Sequence, residues 1–213
     1  MAVDSIRTRL DIGRLVMVPA AAGFLLVDVL ALTRRSGEGA LRWPGALLTA
    51  AFYALIIWCY LRRGPALATT RSVTARVAAV VATWTPFVIP QLHGAPPGAV
   101  QQGASDVLLL AGTAWAVWSL HFLGRNLSVI AQARGVTDRG PYRWVRHPLY
   151  AGEIVAALGL AVAAHSLAAV AVWAGSCALQ VYRAVREEQL LLAALPGYRA
   201  YRRRTAALLP GIF

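Results

Sequence analysis

From residue 149 to residue 182 the chain runs for 34 residues with no Asp, Lys or Arg, and with Glu153 and His165 as its one Glu and one His. As one helix, at 1.5 Å per residue, this stretch would be about 51 Å long. That is too long for a single crossing of ~30 Å of hydrocarbon at ordinary tilt. Its centre reads Ala164-His165-Ser166, which can turn the chain. The stretch is therefore expected to fold back on itself as two short antiparallel spans, roughly 149–164 and 166–182.

Four further runs, 15–32, 44–61, 73–90 and 104–123, are each long and apolar enough to cross alone. Asp28 lies near the end of the first and Arg76 near the start of the third, where each can snorkel or face the bundle interior. Composition agrees. Only 14% of residues are charged, against about 25% in a typical soluble domain, and 58% are hydrophobic. The expected fold is all-α, a polytopic membrane helical bundle of about six spans whose last two form a short hairpin. Residues 1–103 hold three N-terminal spans. Residues 104–213 hold the chemically interesting region and an amphipathic tail.

The basic residues set the topology. All 21 are Arg, and the net charge is +12. With six spans and the N-terminus inside, eighteen Arg fall on the inner side and only Arg34, Arg35 and Arg42 on the outer. This follows the positive-inside rule. Both termini, and with them segments 124–148 and 183–213, then face the cytoplasm. With five spans, the 149–182 run crossing once, those two segments would face opposite sides. A nucleic-acid binder would carry such charge on a soluble domain, so no nucleic-acid partner is expected. The absence of Lys reflects coding bias and points to a bacterium, hence its inner membrane. Charges continue through Arg14 and no small-residue cleavage site closes the first run, so that run reads as a retained span. In the tail 186–204, Leu190, Leu191, Leu192 and Leu195 mix with Arg199, Arg202, Arg203 and Arg204, as in a helix lying on the inner membrane surface, broken at Pro196-Gly197.

No G-x-G-x-x-G follows a strand, and there is no P-loop, no H-E-x-x-H and no nucleophile elbow. Cys59 and Cys177 lie inside apolar runs with no metal-ligand spacing, so neither a metal nor a disulfide is expected. Polar chemistry concentrates instead in Gly140-Pro-Tyr-Arg-Trp-Val-Arg-His-Pro-Leu-Tyr-Ala-Gly152. Gly140-Pro141 suits a tight turn and Pro148 the first turn of a helix. The irregular backbone between them is tolerated near a membrane only where protein or a wet cavity satisfies it. Arg143, Arg146 and His147 offer donors to an anion. Tyr142, Trp144 and Tyr150 offer aromatic faces to a base or a cation. Arg143 and Trp144 fit plain interfacial anchors equally well, whereas Arg146-His147-Pro148 at the mouth of a span is poor anchor chemistry. Glu153, an acid inside a span, is a functional candidate, or it pairs with an interfacial Arg. Glu187 and Glu188 sit between Arg183 and Arg186, where an i,i+4 pair of Arg183 with Glu187 on a solvated face would also account for them. His121 and Asn126 flank the end of the fourth span, and each alone reads as structural.

The ordered set formed by 140–152, an apolar hairpin, Arg-x-x-x-Glu-Glu at 183–188, Gly-Tyr-x-x-Tyr at 197–201 and Leu209-Pro210 resembles the isoprenylcysteine carboxyl methyltransferase family. The wider group includes membrane phospholipid methyltransferases. Leu123-Gly124-Arg125-Asn126 is similar to the family as well. The resemblance covers 104–213 and is specific for the superfamily rather than for a substrate. It implies S-adenosylmethionine as methyl donor, held at the cytoplasmic face by Tyr142, Val145, Arg146, His147, Pro148, Tyr150 and Glu188. It implies carboxyl methylation of a prenylcysteine or lipid-like substrate entering from the bilayer. Arg183 would orient the substrate carboxylate, Glu187 would take part in catalysis, and Asn126 and Glu153 would lie on the substrate side. Methylation of an aminophospholipid nitrogen is the alternative within the same chemistry. Membrane sterol reductases resemble the family in their C-terminal portion, with a similar Arg-His-Pro segment, and would need NADPH. A non-catalytic scaffold would leave Arg146, His147 and Glu188 without a reason.

Overall fold

The computed structural model describes residues 11–34 and 42–208; Arg7, Arg9, Arg35 and the Leu209-Pro210 motif lie outside these. Seven α-helices follow in order: α1 Ile12–Arg34, α2 Arg42–Arg62, α3 Val73–Val88, α4 Ala99–Leu123, α5 Pro148–Ala164, α6 Leu167–Ala194 and α7 Tyr198–Arg204. Two short strands, β1 Ala68–Thr69 and β2 Gln132–Ala133, pair antiparallel with Ala68 opposite Ala133. Among the described residues five helical stretches are long and apolar enough to cross a membrane: Gly13–Leu30, Pro44–Arg62, Val73–Gln91, Ala99–Asn126 and Leu167–Ala194. The sixth, α5, is apolar and 17 residues long, about 25 Å. The protein is an all-α integral membrane bundle.

The expected hairpin is present. His165 adopts the left-handed conformation (φ 47°) and Ser166 caps α6 by accepting from the Ala169 amide at 3.1 Å. Gly94 N donates to Ala164 O at 2.8 Å, and a Cβ on Gly94 would lie 2.4 Å from His165 O, so the 91–98 connector packs directly on the turn. The hairpin's second arm differs from expectation. It does not end near residue 182 but continues to Ala194, 28 residues in all. No Gly or Pro interrupts 176–195, and the run is rich in Ala, Leu, Gln, Glu and Arg, which sustain a helix. The break comes only at Pro196-Gly197. The tail expected over 186–204 is thus the end of α6 followed by the separate short α7.

Close helix approach is written in small residues. A Cβ on Gly112 would fall 2.3 Å from Ala156 N, on Gly152 2.8 Å from Ala116 N, and on Gly159 2.9 Å from Leu109 N. Ser105 Oγ donates to Gly159 O across the same seam at 2.8 Å. Backbone-to-backbone contact of this kind replaces hydrophobic drive as the packing force inside a bilayer.

Contacts at the two ends of the bundle show an even number of crossings. At one end Arg14 donates to Tyr60 O (3.0 Å) and Arg63 O (3.1 Å), Arg63 pairs with Asp11 and donates to Leu127 O, and the β1–β2 ladder joins the 62–73 and 124–148 segments. Arg183 reaches Val129 O at the same end, and Arg146 N donates to Ala206 O. At the other end lie the 165 turn, the 91–98 connector and Gln101, whose Nε2 donates to Val162 O at 2.9 Å.

Candidate active site

The segment before α5 is irregular because its own residues demand it, and its backbone is satisfied by the far end of the chain. Gly140 has φ +56°, and a Cβ there would lie 2.5 Å from the Phe122 ring. Val145 is buried and bridges Ala206 in parallel; Arg146 N donates to Ala206 O (2.8 Å), His147 N to Ala207 O (3.0 Å), and Ala206 N to Trp144 O (3.1 Å). Tyr201 OH donates to Tyr142 O at 2.8 Å. Burial holds the phenols of Tyr142, Tyr198 and Tyr201 above the ordinary tyrosine range, so they stay protonated, and that of Tyr201 serves as a donor. Pro148 then starts α5, its carbonyl accepting from Trp115 Nε1 at 2.9 Å. Arg143 and Trp144 point outward, Trp144 packing on Trp118 (5.9 Å between centroids), as membrane-interface anchors do.

This construction delivers Arg146 and His147 to Glu188 of α6. Glu188 Oε1 accepts from Arg146 Nε (2.6 Å) and from His147 Nε2 (3.3 Å), and Oε2 pairs with Arg202 Nε at 3.1 Å. The Arg146 and Glu188 side chains are 8% and 10% exposed, that of Arg202 50%. Arg146 also donates to the carbonyls of Thr205 and Arg202. One turn into α5, Tyr150 stacks on the His147 ring (5.3 Å, 8° between planes) and donates through its hydroxyl to Glu187 Oε2 at 2.8 Å. The Arg183 guanidinium lies over the Tyr150 ring at 4.7 Å. Arg183 Nη1 donates to Gln180 Oε1 (2.8 Å), and Gln180 Nε2 donates to Glu153 Oε2 (2.7 Å), the one amide orientation that serves both partners. Arg183 Nη2 donates to Val129 O at 3.1 Å, while its Nε is buried without a partner.

Tyr150, Glu153 and Arg183 also form the polar wall of a cavity of about 500 Å³ that extends between α1, α2, α3, α4 and α5. Its remaining lining is mostly apolar or aromatic, with Thr49, Thr83, Gln91, Thr113 and Ser128 among it. Arg146, His147, Glu187 and Glu188 stand behind that wall rather than on it. Two unlike regions thus meet at Tyr150: a charged cluster at one side and an apolar chamber at the other.

The structure therefore brings together Arg146, His147, Pro148, Tyr150, Glu153, Arg183, Glu187 and Glu188, with Tyr142 and Val145 buried in the supporting backbone. Asn126 is apart from them. Its Nδ2 donates to Thr137 Oγ1 at 2.9 Å and it packs near Gly135, bracing the 124–137 segment. Glu187 pairs with Tyr150, not with Arg183 as its i,i+4 spacing allows. Gln180, Arg202 and Thr205 were not legible as participants. A polar residue inside a span is itself a signal, and Gln180, one turn before Arg183, carried it. Arg202 and Thr205 carried none, since only the tertiary strap brings them to Arg146 and Glu188. Among the described residues no group of three or more His, Cys, Asp or Glu could hold a metal ion.

Residues 100–195 match the phospholipid methyltransferase family model. This range takes in α4, the irregular segment, α5 and all but the last strap of the cluster. The resemblance to phospholipid methyltransferases therefore holds for this part of the chain. Over 104 residues the chain is 35% identical to the cobalt-zinc-cadmium resistance protein CzcN of Cupriavidus metallidurans, covering 48% of this chain and 44% of that protein. The match thus spans less than half the length of that relative. A solved structure of the eukaryotic intramembrane Ras methyltransferase, an isoprenylcysteine carboxyl methyltransferase, overlaps with a TM-score of 0.48 at 16% identity, over 96% of this chain and 88% of that one. An overlap that low bears on neither fold nor function here.

Proposed function

Starting from a C-terminal region that matches the phospholipid methyltransferase family, we propose that this chain is an integral membrane, S-adenosylmethionine-dependent methyltransferase. The acceptor is the carboxylate of a prenylcysteine or similar lipid-like molecule. The observation that carries this reading is the meeting at Tyr150 of a charged cluster suited to a zwitterionic, water-soluble cofactor and an apolar cavity suited to a lipid.

The donor set fits the cofactor. Arg146 and His147 match its carboxylate, and Glu187 and Glu188 match its ammonium and ribose hydroxyls. The Tyr150 ring can lie beside the sulfonium. Arg202, half exposed, is the partner of Glu188 that a cofactor ammonium would replace. Val145 and Pro148 fix the backbone that presents these groups, and Tyr142 buttresses it. When bound, the cofactor supplies a methyl group made electrophilic by the sulfonium.

On the acceptor side, Arg183 stands on the cavity wall with a buried, unpartnered Nε, a donor available to a carboxylate. A carboxylate nucleophile needs no general base, only positioning and exclusion of water. An amine acceptor would have to lose a proton, to Glu187 or Glu153. Both acids already accept hydrogen bonds, from Tyr150 and Gln180, and the unsatisfied group is a cation. This favours the carboxylate. Phospholipid N-methylation remains the second reading because the matching family is described by that activity. The distribution of Arg supports a cytoplasmic face for the cluster, and the membrane in this reading is a bacterial inner membrane.

The test is calorimetric titration of detergent-purified protein with S-adenosylhomocysteine, with NADPH in parallel. It is followed by label transfer from S-adenosylmethionine to S-farnesylcysteine or to phosphatidylethanolamine. Binding of S-adenosylhomocysteine and base-labile label on S-farnesylcysteine are expected. Base-stable label on phosphatidylethanolamine would move the acceptor to the amine. Binding of NADPH alone would make the chain a reductase and sink the proposal.

A further inference from the structure

We propose that Gln180 and Glu153 are positioning residues that set the charge Arg183 presents to the acceptor, by holding its counter-charge one amide away. The inference rests on Arg183 meeting the acceptor's carboxylate in the cavity, as proposed above. Arg183 is 8% exposed. A guanidinium so buried needs a counter-charge, because leaving it uncompensated is costly. A carboxylate in direct contact would supply one, but would also occupy the donors that an acceptor carboxylate needs. Among the described residues no carboxylate lies within ion-pair distance of Arg183. Glu187, one turn on along α6, takes the Tyr150 hydroxyl instead, at 2.8 Å.

The counter-charge arrives through Gln180. Arg183 Nη1 donates to Gln180 Oε1 at 2.8 Å, and Gln180 Nε2 donates to Glu153 Oε2 at 2.7 Å. The bridge joins α6 to α5, and Gln180 is 4% exposed, so bulk water does not stand in for it. A side chain between a guanidinium and a carboxylate must accept at one end and donate at the other, which an amide does and a carboxylate or an alkyl group does not. Val129 O holds Nη2 at 3.1 Å, and the guanidinium lies 4.7 Å over the Tyr150 ring. Each Nη nitrogen therefore has a partner, and the donor left over is the buried Nε. Arg183 and Glu153 both line the cavity, whereas Gln180 does not, so the relay runs behind the wall and reaches it at both ends. Coulomb attraction falls with distance. A carboxylate set one amide back thus compensates Arg183 in part, and the remainder draws an anionic head group.

Removing the distant charge and bringing a charge close must then act in opposite directions. Glu153→Gln keeps an acceptor for Gln180 Nε2 and deletes the counter-charge. Gln180→Glu puts a carboxylate directly on Arg183. The test uses full-length protein in lipid nanodiscs without any methyl donor. Calorimetry follows binding of S-farnesylcysteine acetylated on its amine, with the carboxamide of the same molecule as an uncharged probe of the same shape. Glu153→Gln should bind the acid roughly tenfold more tightly and Gln180→Glu roughly tenfold more weakly, while the carboxamide stays within about threefold in both. A gain confined to the charged probe is not what damage to the fold produces, so Glu153→Gln decides the matter alone if Gln180→Glu does not fold. Equal shifts for acid and carboxamide, an acid affinity not raised in Glu153→Gln, or no saturable binding of the acid would overturn the relay. Because no methyl transfer is read, the expected shifts in a protein that ignores S-adenosylhomocysteine would keep the relay and discard the methyltransferase. Unmoved acid affinity in a protein that binds S-adenosylhomocysteine would do the reverse.

Discussion

Removing Glu188 should cost far more than removing the more visible of its two arginine partners. In the native cluster the Arg146 and Glu188 side chains are 8% and 10% exposed and meet at 2.6 Å. Glu188→Ala leaves the Arg146 guanidinium buried without a counter-charge, and breaking a buried pair from one side costs about 3–5 kcal/mol. Arg146 retains the carbonyls of Thr205 and Arg202, which places the cost near the lower end, about 3 kcal/mol. Arg202 makes an equally plain ion pair at 3.1 Å, but its side chain is 50% exposed, and such a pair is worth no more than about 1 kcal/mol. Reversible denaturation in mixed detergent–SDS micelles, followed by tryptophan fluorescence, measures these differences. The double-mutant cycle of Arg146→Ala with Glu188→Ala should give a coupling of about 1–3 kcal/mol, since the residues share one network. The cycle of Arg202→Ala with Glu188→Ala should give less than about 1 kcal/mol. Additive effects of Arg146→Ala and Glu188→Ala, or a stronger coupling through Arg202, would show that burial does not govern this cluster.

Other expectations use the same geometry. Gly152→Val puts a side chain where a Cβ alone already meets Ala116 N and Gly112 O at 2.8 Å, so overpacking should destabilise the bundle by about 1–3 kcal/mol or more in the same assay; wild-type stability would mean that α4 and α5 do not touch there. Tyr150→Phe keeps the stacking on His147 and the contact with Arg183 but loses the hydroxyl bond to Glu187. A hydrogen bond to a charged group is worth about 1.5–3 kcal/mol, so calorimetry should find S-adenosylhomocysteine bound roughly ten- to a hundredfold more weakly, and unchanged affinity would remove Tyr150 from the cofactor side. Arg183→Gln should leave that affinity nearly unchanged and cut turnover, whereas equal losses in both would put Arg183 at the cofactor. Asp11 is raised by burial, but the Arg63 hydrogen bond and charge and the Arg14 amide outweigh this and lower its pKa below the usual carboxylate value. A depressed acid stabilises above its unfolded pKa, about 3.9, and that contribution fades as pH falls through the folded value. Asp11→Asn should therefore flatten the acid limb of the stability profile, and an unchanged limb would show that the Asp11–Arg63 tie is not what titrates.

Much of the architecture is arithmetic on the chain itself. A 34-residue apolar run cannot stay straight in a bilayer, so a turn near His165 followed from length alone. The placement of eighteen Arg between apolar runs favoured six crossings, and the 124–148 and 183–204 segments do meet at one end. Where apolarity was read as the limit of a helix the expectation fell short. Helix α6 passes residue 182 because helix propensity, not hydrophobicity, decides where a helix stops, and Arg183, Glu187 and Glu188 are good helix formers. The pairings belong to tertiary structure. The sequence offered Glu187 a partner four residues back in Arg183, yet the fold turns Glu187 to Tyr150, sends Arg183 through Gln180 to Glu153, and gives Glu188 to residues from two other segments. It also left Asn126, adjacent in the motif order, outside the cluster. The cavity is more remote still from anything local, since the ring stack on its wall is assembled from α1, α2 and α3, which carry no recognisable motif. Apolarity and charge along the chain determine how many helices cross and which ends share a side. Which side chains meet depends on each helix's rotation and separation, set here by backbone contacts at Gly112, Gly152 and Gly159 that arise only once α4 and α5 are packed.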